Sequence, residues 1–351
     1  MGKKISYIVE DKKSAQYRYR CMNVHQVLEG NNEYDVELLY KKGLIEGKGL
    51  IESDLVVVER QSAKDNTVVE VINEAKRKKT KVVFDLDDLV FDYKDLPILM
   101  RGTGSRNFVY WAGYIWGIRR IAKRVDGFIC TNDFLGKKLE RSFGKPYKVI
   151  RNSLNKEQVE ASNECLPKKK HDGFVVGYFS GSPTHRKDFA MVEPELVRFM
   201  EKHEDVKLRV VGYMKFSDNM QKWIDAGRVE VIAPVDYLKL QRLIAEVDVN
   251  IAPLVINDFT NCKSELKFFE AAVVETTTIA SPTYAYKKAI CDGENGFLAL
   301  KGEWYKKLEY LYRNRKANEG IAKNARRYAL KHYYGKEFRE EVEGVYEFFT
   351  K

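Results

Sequence analysis

No stretch of this 351-residue chain is apolar for long enough to span a bilayer, which takes about 20 residues. Cysteine is sparse and odd in number: Cys21, Cys130, Cys165, Cys262 and Cys291. No pair has metal-ligand spacing, which argues against a disulfide frame and a zinc site and points to reduced thiols in a cytoplasmic protein. The N-terminal stretch is also a poor match to a secretory leader. The start, MGKKISYIVEDKK, has only the short apolar run 5–9 before Glu10 and Asp11, and reads as a first strand. Met1, Gly2 and Ser6 fit the loose myristoylation pattern, but a buried strand is the preferred reading. No GxGxxG follows that strand, so the fingerprint of a dinucleotide-dependent oxidoreductase is absent where it would stand.

What is present is an excess of positive charge, net +10, and enough length for two domains with their own cores. A basic balance suits polyanions: nucleic acid, anionic lipid or phosphate-bearing substrates. Apolar β-rich runs at 5–9, 34–39, 54–58, 82–86, 125–131, 148–151, 174–180, 206–212, 229–233, 249–254 and 276–280 alternate with helical patterns. That alternation predicts parallel, doubly wound sheets. Residues 155–172 are polar and hold no strand, and the domain boundary is placed there.

The stretch 249–300 carries the densest chemistry. A buried strand, a polar loop, a helix with Leu266, Phe269 and Val273 in phase, and a second strand make one βαβ unit, with ligands expected at the strand ends. The spacing predicts a helix N-terminus at Asn261, Lys263 and Ser264, where free N–H groups, dipole and lysine suit a diphosphate. Glu270, two turns on, can accept from paired ribose hydroxyls; an ordinary capped helix with Glu270 on its wet face fits as well.

Three further clusters stand out. Asp85, Asp87 and Asp88 crowd a strand end, where like charges disfavour one another. An acceptor-hydroxyl role, a metal site and a helix N-cap all remain open for them. Gly181, Ser182, Pro183, Thr184 and His185 form a small-residue turn ahead of Arg186 and Lys187, cations able to neutralise a diphosphate or simply solvated. Residues 108–124, FVYWAGYIWGIRRIAKR, form a basic aromatic helix, core-facing or lying on an anionic membrane. Arg18 and Arg20, in the turn after the first strand, either face an anionic ligand or are solvated.

Taken in order, these pieces resemble the family 4 retaining glycosyltransferases of GT-B fold, of the bacterial polysaccharide-cluster type. The resemblance rests on VGYFSG (176–181), Arg186-Lys187, KSELKFFEAA (263–272), IASP (279–282) and NGFL (295–298), with VIRN (149–152) similar to the segment leading into the linker. It implies two Rossmann-like doubly wound domains facing a central cleft. Residues 1–155 would bind the acceptor, 156–330 the nucleotide-sugar, and 331–351 would form a helix crossing back to the first domain. The implied reaction moves a sugar from a nucleotide-diphosphate-sugar to a lipid-linked or polymeric glycan, with retention and without a metal or other cofactor. Catalytic roles fall on Asp87, Arg186 and Lys187. Donor contacts fall on Gly181, Ser182, His185, Lys263, Ser264, Glu265 and Glu270, and acceptor contacts on Asp88 and Arg18. Cys262 stands where the family's first motif glutamate belongs, with Glu265 as a substitute; this departure bears on the donor sugar. Closure of the domains would exclude water. The residues themselves point to the cytoplasm, with a core-facing role preferred for 108–124 and contact with the inner face of the membrane left open, and no nucleic acid is expected. Two other classes stay open: a catalytically inactive nucleotide-sugar-binding partner subunit, and a basic polyanion- or nucleic-acid-binding protein.

Overall fold

The structure is a computed structural model. It describes residues 2–12, 14–29, 33–40, 53–166, 172–180, 186–214 and 216–351, with the Arg186 side chain outside that description. The chain divides into two compact units: Met1–Ser153 with Asn261–Ser264 and Gly335–Lys351, and Leu154–Thr260 with Glu265–Tyr334. The first break falls within two residues of the expected 155/156 boundary.

The first unit holds one six-stranded sheet, ordered β2-β1-β3-β4-β5-β6. Its strands are β1 (Lys3–Val9), β2 (Tyr34–Tyr40), β3 (Leu55–Glu59), β4 (Lys81–Leu86), β5 (Gly127–Cys130) and β6 (Tyr147–Val149), all parallel. Ile5, Tyr7 and Val9 of β1 and Leu55 and Val57 of β3 pack with Cys21, Val24 and Leu28 and with Phe338, Val342, Val345, Tyr346 and Phe349 of the helix Lys336–Thr350. The residues between them, Ile8, Val56 and Val58, are equally buried. Both sheet faces are therefore covered, as parallel strands require.

The second unit repeats the plan in the order β12-β11-β10-β7-β8-β9. Its strands are β7 (Phe174–Ser180), β8 (Val206–Gly212), β9 (Val229–Ile232), β10 (Val249–Ala252), β11 (Thr277–Ala280) and β12 (Phe297–Leu298). Phe189, Val192, Leu196 and Phe199 of the helix Arg186–Lys202 fill its core with Val176, Tyr178, Leu208, Val210 and Trp304. Together the units make an α/β chain with two parallel six-stranded sheets and helices.

Two elements were not legible. The polar stretch after Asn155 contains the helix Lys156–Glu164, started by Asn155, whose side-chain oxygen accepts from Gln158 N–H at 2.7 Å. Phe297 and Leu298, read as a turn, pair with Ile279 and Ala280 as an edge strand.

Each sheet has a point where its strand order reverses: between β1 and β3, and between β7 and β10. Ligands of open α/β sheets sit outside the carboxyl ends of strands at such points.

Candidate functional site

In the first unit, the carboxyl ends of β3 and β4 hold four acidic side chains: Glu59, Asp85, Asp87 and Asp88. Three cations meet three of them. Arg20 binds Asp85 through both of that carboxylate's oxygens, at 2.8 and 3.1 Å. Arg60 pairs with Asp87 at 2.6 Å and reaches Asp88 at 3.7 Å. Lys263 pairs with Asp88 at 3.1 Å. Burial works to raise Asp88, but Lys263 and Arg60 outweigh it and hold the carboxyl below its usual range. Burial likewise lifts Asp85, to about 6, against the pull of Arg20, so that pair stays ionised at neutral pH. Among the described residues no cation forms an ion pair with Glu59. It is 1% exposed, neither oxygen has a well-formed hydrogen bond, and burial followed by repulsion from Asp85 pushes it to about 8. At neutral pH it holds a proton.

Arg20 does not face solvent or a ligand. It lies in a π-helical turn, Arg18–Met22, and is 1% exposed. Such turns add a residue to the helical repeat and re-aim side chains. Here Arg20 also donates to the Ile150 carbonyl at 2.6 Å and to Asn152 at 3.1 Å. Arg18, expected on the acceptor side, donates to the Tyr19 hydroxyl at 2.7 Å and lies over that ring. The N-cap reading of Asp87 and Asp88 fails, because no helix begins there: a single 3-10 turn follows at Tyr93–Asp95. Among the described residues, no group of three or more histidines, cysteines or acids is arranged to hold a metal ion.

The expected helix N-terminus at Lys263 and Ser264 is also corrected. Asp258–Asn261 closes as its own short turn, and the motif helix runs Leu266–Ala272. Asn261–Ser264 belongs to the first unit. Asn132 holds it by donating to the Cys262 carbonyl at 3.1 Å and the Lys263 carbonyl at 3.3 Å. Asn152 donates to the Ser264 hydroxyl at 2.8 Å. These grips, with the Lys263–Asp88 pair, draw the segment out of helical register. Cys262 is buried and contributes its backbone.

In the second unit, Glu270 is 7% exposed, so the wet-face reading fails. Gln158 donates to its carboxylate at 3.4 Å, and Gln241 donates to its backbone carbonyl at 2.9 Å. Glu265 is 5% exposed and accepts from the Tyr333 hydroxyl at 2.6 Å. Tyr333 stacks on Phe269 of the same helix, fixing the pair. Burial, then the fields of Glu265 and Glu270, raise the Tyr286 hydroxyl above its ordinary range. Lys267, which sequence reasoning passed over, sets its ammonium 4.6 Å from the centre of the Tyr178 ring on β7. Its spacing from Glu270, one helical turn, was the available signal. Asp188 accepts from Val255 N–H at 2.9 Å, tying the start of the helix after β7 to the loop after β10 at the strand-order reversal. Lys187 is exposed in that helix's first turn. Gly181, Ser182, His185 and the Arg186 side chain lie outside the described residues.

The arrangement thus offers two kinds of strand end. One is a charge-compensated acidic cluster. The other is a helix with buried carboxylates, Glu265 at its start and Glu270 within it.

Comparison with known proteins gives this chemistry a setting. No curated protein matches the chain in sequence. Residues 174–314 match the family described as Glycosyl transferases group 1. Among solved structures, HepE of Anabaena in complex with UDP and glucose is similar over 99% of both chains, at 14% identity and a TM-score of 0.64. Sucrose-phosphate synthase from Thermosynechococcus elongatus is similar over 98% of both chains, at 12% identity and a TM-score of 0.65. A UDP-N-acetylglucosamine 2-epimerase structure from Listeria monocytogenes is similar over 99% of this chain and 95% of its own, at 10% identity and a TM-score of 0.58. At such identities the likeness is one of fold. The chain therefore has a GT-B fold, and residues 174–314 of it are similar to the Glycosyl transferases group 1 family.

Proposed function

We propose that the chain transfers a glycosyl group, with retention and without a metal, from a uridine-diphosphate-sugar to a lipid-linked or polymeric glycan in cell-surface polysaccharide synthesis, at the inner face of the cytoplasmic membrane. The observation that carries the reading is the helix Leu266–Ala272 inside the matched stretch, with Glu265 and Glu270 buried and each held by a neutral donor. A glutamate side chain at this position has two acceptor oxygens, which suits it to two adjacent ribose hydroxyls. The complexes of HepE with UDP and with UDP-glucose support the choice of donor.

In this reading Arg186 and Lys187, with Gly181, Ser182 and His185, receive the diphosphate. Cations there stabilise the charge that develops on the leaving group, the larger part of the barrier reduction. The C1–O bond to the diphosphate breaks, the acceptor oxygen bonds to C1 on the same face, and its proton passes to the departing phosphate oxygen. Asp87, paired with Arg60, orients the acceptor hydroxyl. Lys263, held by Asp88, is assigned a positioning part.

Thermal and chemical stability with a panel of nucleoside diphosphates, on wild type and on Glu270→Gln, tests the reading. Uridine diphosphate at a hundred times its dissociation constant is expected to add about 2.7 kcal/mol, with most of that lost in the variant. Stabilisation by no nucleotide, or equal stabilisation of both proteins, would overturn it.

A further inference from the structure

The helix Phe108–Ala122 has a face that the site above does not use. Ile115, Ile118, Ile121 and Ala122 are its buried side. Val109, Gly113, Trp116, Arg120 and Lys123 follow one another at three- and four-residue steps and so share another side. Phe108 is 60% exposed, Val109 80%, Tyr110 46% and Trp116 50%. A Cβ added at Gly113 would meet nothing within 4 Å, so the strip is open there. The first turn is firmly built: Asn107 caps it, accepting from Tyr110 N–H at 2.9 Å. Single exposed apolar residues are ordinary, but several together on one helix face mark a contact surface.

Charge says what the surface meets. Residues 96–125 contain no aspartate or glutamate and include Arg101, Arg106, Arg119, Arg120, Lys123 and Arg124. Arg101, Arg106 and Lys123 are exposed. The Lys64 ammonium lies 5.0 Å from the Tyr110 ring centre, and the Arg120 guanidinium 4.8 Å from that of Trp116. Arg120 is fixed there by the carbonyls of Ala63 and Asp65 and by the Asn66 side chain. The result is an apolar and aromatic tip bordered by cations.

We propose that this face docks on an anionic lipid bilayer. Phe108, Val109, Tyr110 and Trp116 enter the boundary between headgroups and acyl chains, while Lys64, Arg101, Arg106 and Lys123 meet lipid phosphates. Aromatic rings with adjacent cations suit that boundary, and a charged flank adds to binding on anionic lipid. Nucleic acid fits less well, because the tip is a contiguous apolar run that includes Val109, which has no ring to stack on a base. No helix among the described residues is long and apolar enough to cross the membrane, so the contact is at its surface.

Co-sedimentation of the full chain with phosphatidylcholine vesicles, with and without phosphatidylglycerol, tests this. Wild type is expected to partition roughly tenfold or more in favour of the anionic vesicles. Replacing Phe108→Ser together with Val109→Ser should cut that partition about tenfold, even at low salt. Arg101→Gln with Arg106→Gln should cut it by a similar factor, with a weaker salt dependence. The proposal is overturned if wild type ignores anionic vesicles, or if the apolar variant binds them fully. Conversion of a wild-type dimer to monomer by the apolar variant, in sedimentation velocity, would assign the face to a second copy and overturn it too. So would tighter binding of an oligonucleotide than of vesicles at equal salt. Each variant is also tested for stabilisation by uridine diphosphate. Retained stabilisation shows that the protein is folded, and it keeps failure here separate from failure of the proposed transfer reaction.

Discussion

The two units share a strand plan and differ in what closes their strand ends. In the first, the ends of β3 and β4 carry four carboxyls against three cations, all drawn from the chain itself. In the second, the motif helix carries two buried glutamates whose described partners are amides and a hydroxyl. An ion pair uses up charge internally, whereas a neutral hydrogen bond leaves it. In the proposed reading the first end holds shape around an acceptor hydroxyl and the second meets the nucleotide.

Breaking the ionic end should cost most. Arg20→Leu strands the Asp85 carboxylate and the Ile150 carbonyl in a buried site, and about 3–5 kcal/mol of stability should be lost in denaturant titration. A loss under about 1 kcal/mol would mean that the pair is not structural.

Glu59 sharpens the same comparison through pH. Its folded-state value, about 8, lies above the ordinary 4.5. The folded state therefore binds its proton more tightly, and the stability it contributes is full below pH about 4.5 and is lost as pH rises toward 8. Glu59→Gln removes that titration. The variant should gain on wild type across this window, on the order of a few kcal/mol at about 1.4 kcal/mol per unit. Parallel pH–stability curves for the two proteins would contradict a buried, protonated carboxyl.

At the neutral end, Tyr333→Phe leaves Glu265 without that hydroxyl. A loss of roughly 1–3 kcal/mol is expected, with nucleotide affinity reduced as the motif helix loosens. Calorimetric unfolding and nucleotide titration on one sample would show whether the two fall together. The smallest effect on stability is expected at exposed Lys187, within about 0.5 kcal/mol for Lys187→Ala. Nucleotide binding should nonetheless weaken several-fold in an isothermal titration, the reverse of the pattern at Arg20.

Much of the architecture was readable from the chain. β7 and β8 have the bounds that their β-branched runs suggested, because buried parallel strands need continuous apolar sequence. The helix Lys156–Glu164 was hidden because its residues are mostly polar, and the burial of Gln158 and Ser162 depends on Gln241. β12 escaped because a two-residue strand has no period to read. Glu270 could be singled out from its motif spacing, but its burial could not: a polar residue's depth is set by what packs over it.

The sequence by itself therefore determined the repeated α/β plan, the acidic strand end, the motif glutamate and the positive charge, since each is local composition or period. Tertiary structure alone decided the pairings. Arg20 rather than Arg18 reaches Asp85 through a π-turn, Lys263 leaves the motif helix for Asp88, and no cation among the described residues forms an ion pair with Glu59. Partners so far apart in the chain are chosen by where the backbone carries them and by the cost of burying charge unpaired, and neither is encoded in the spacing of neighbouring residues.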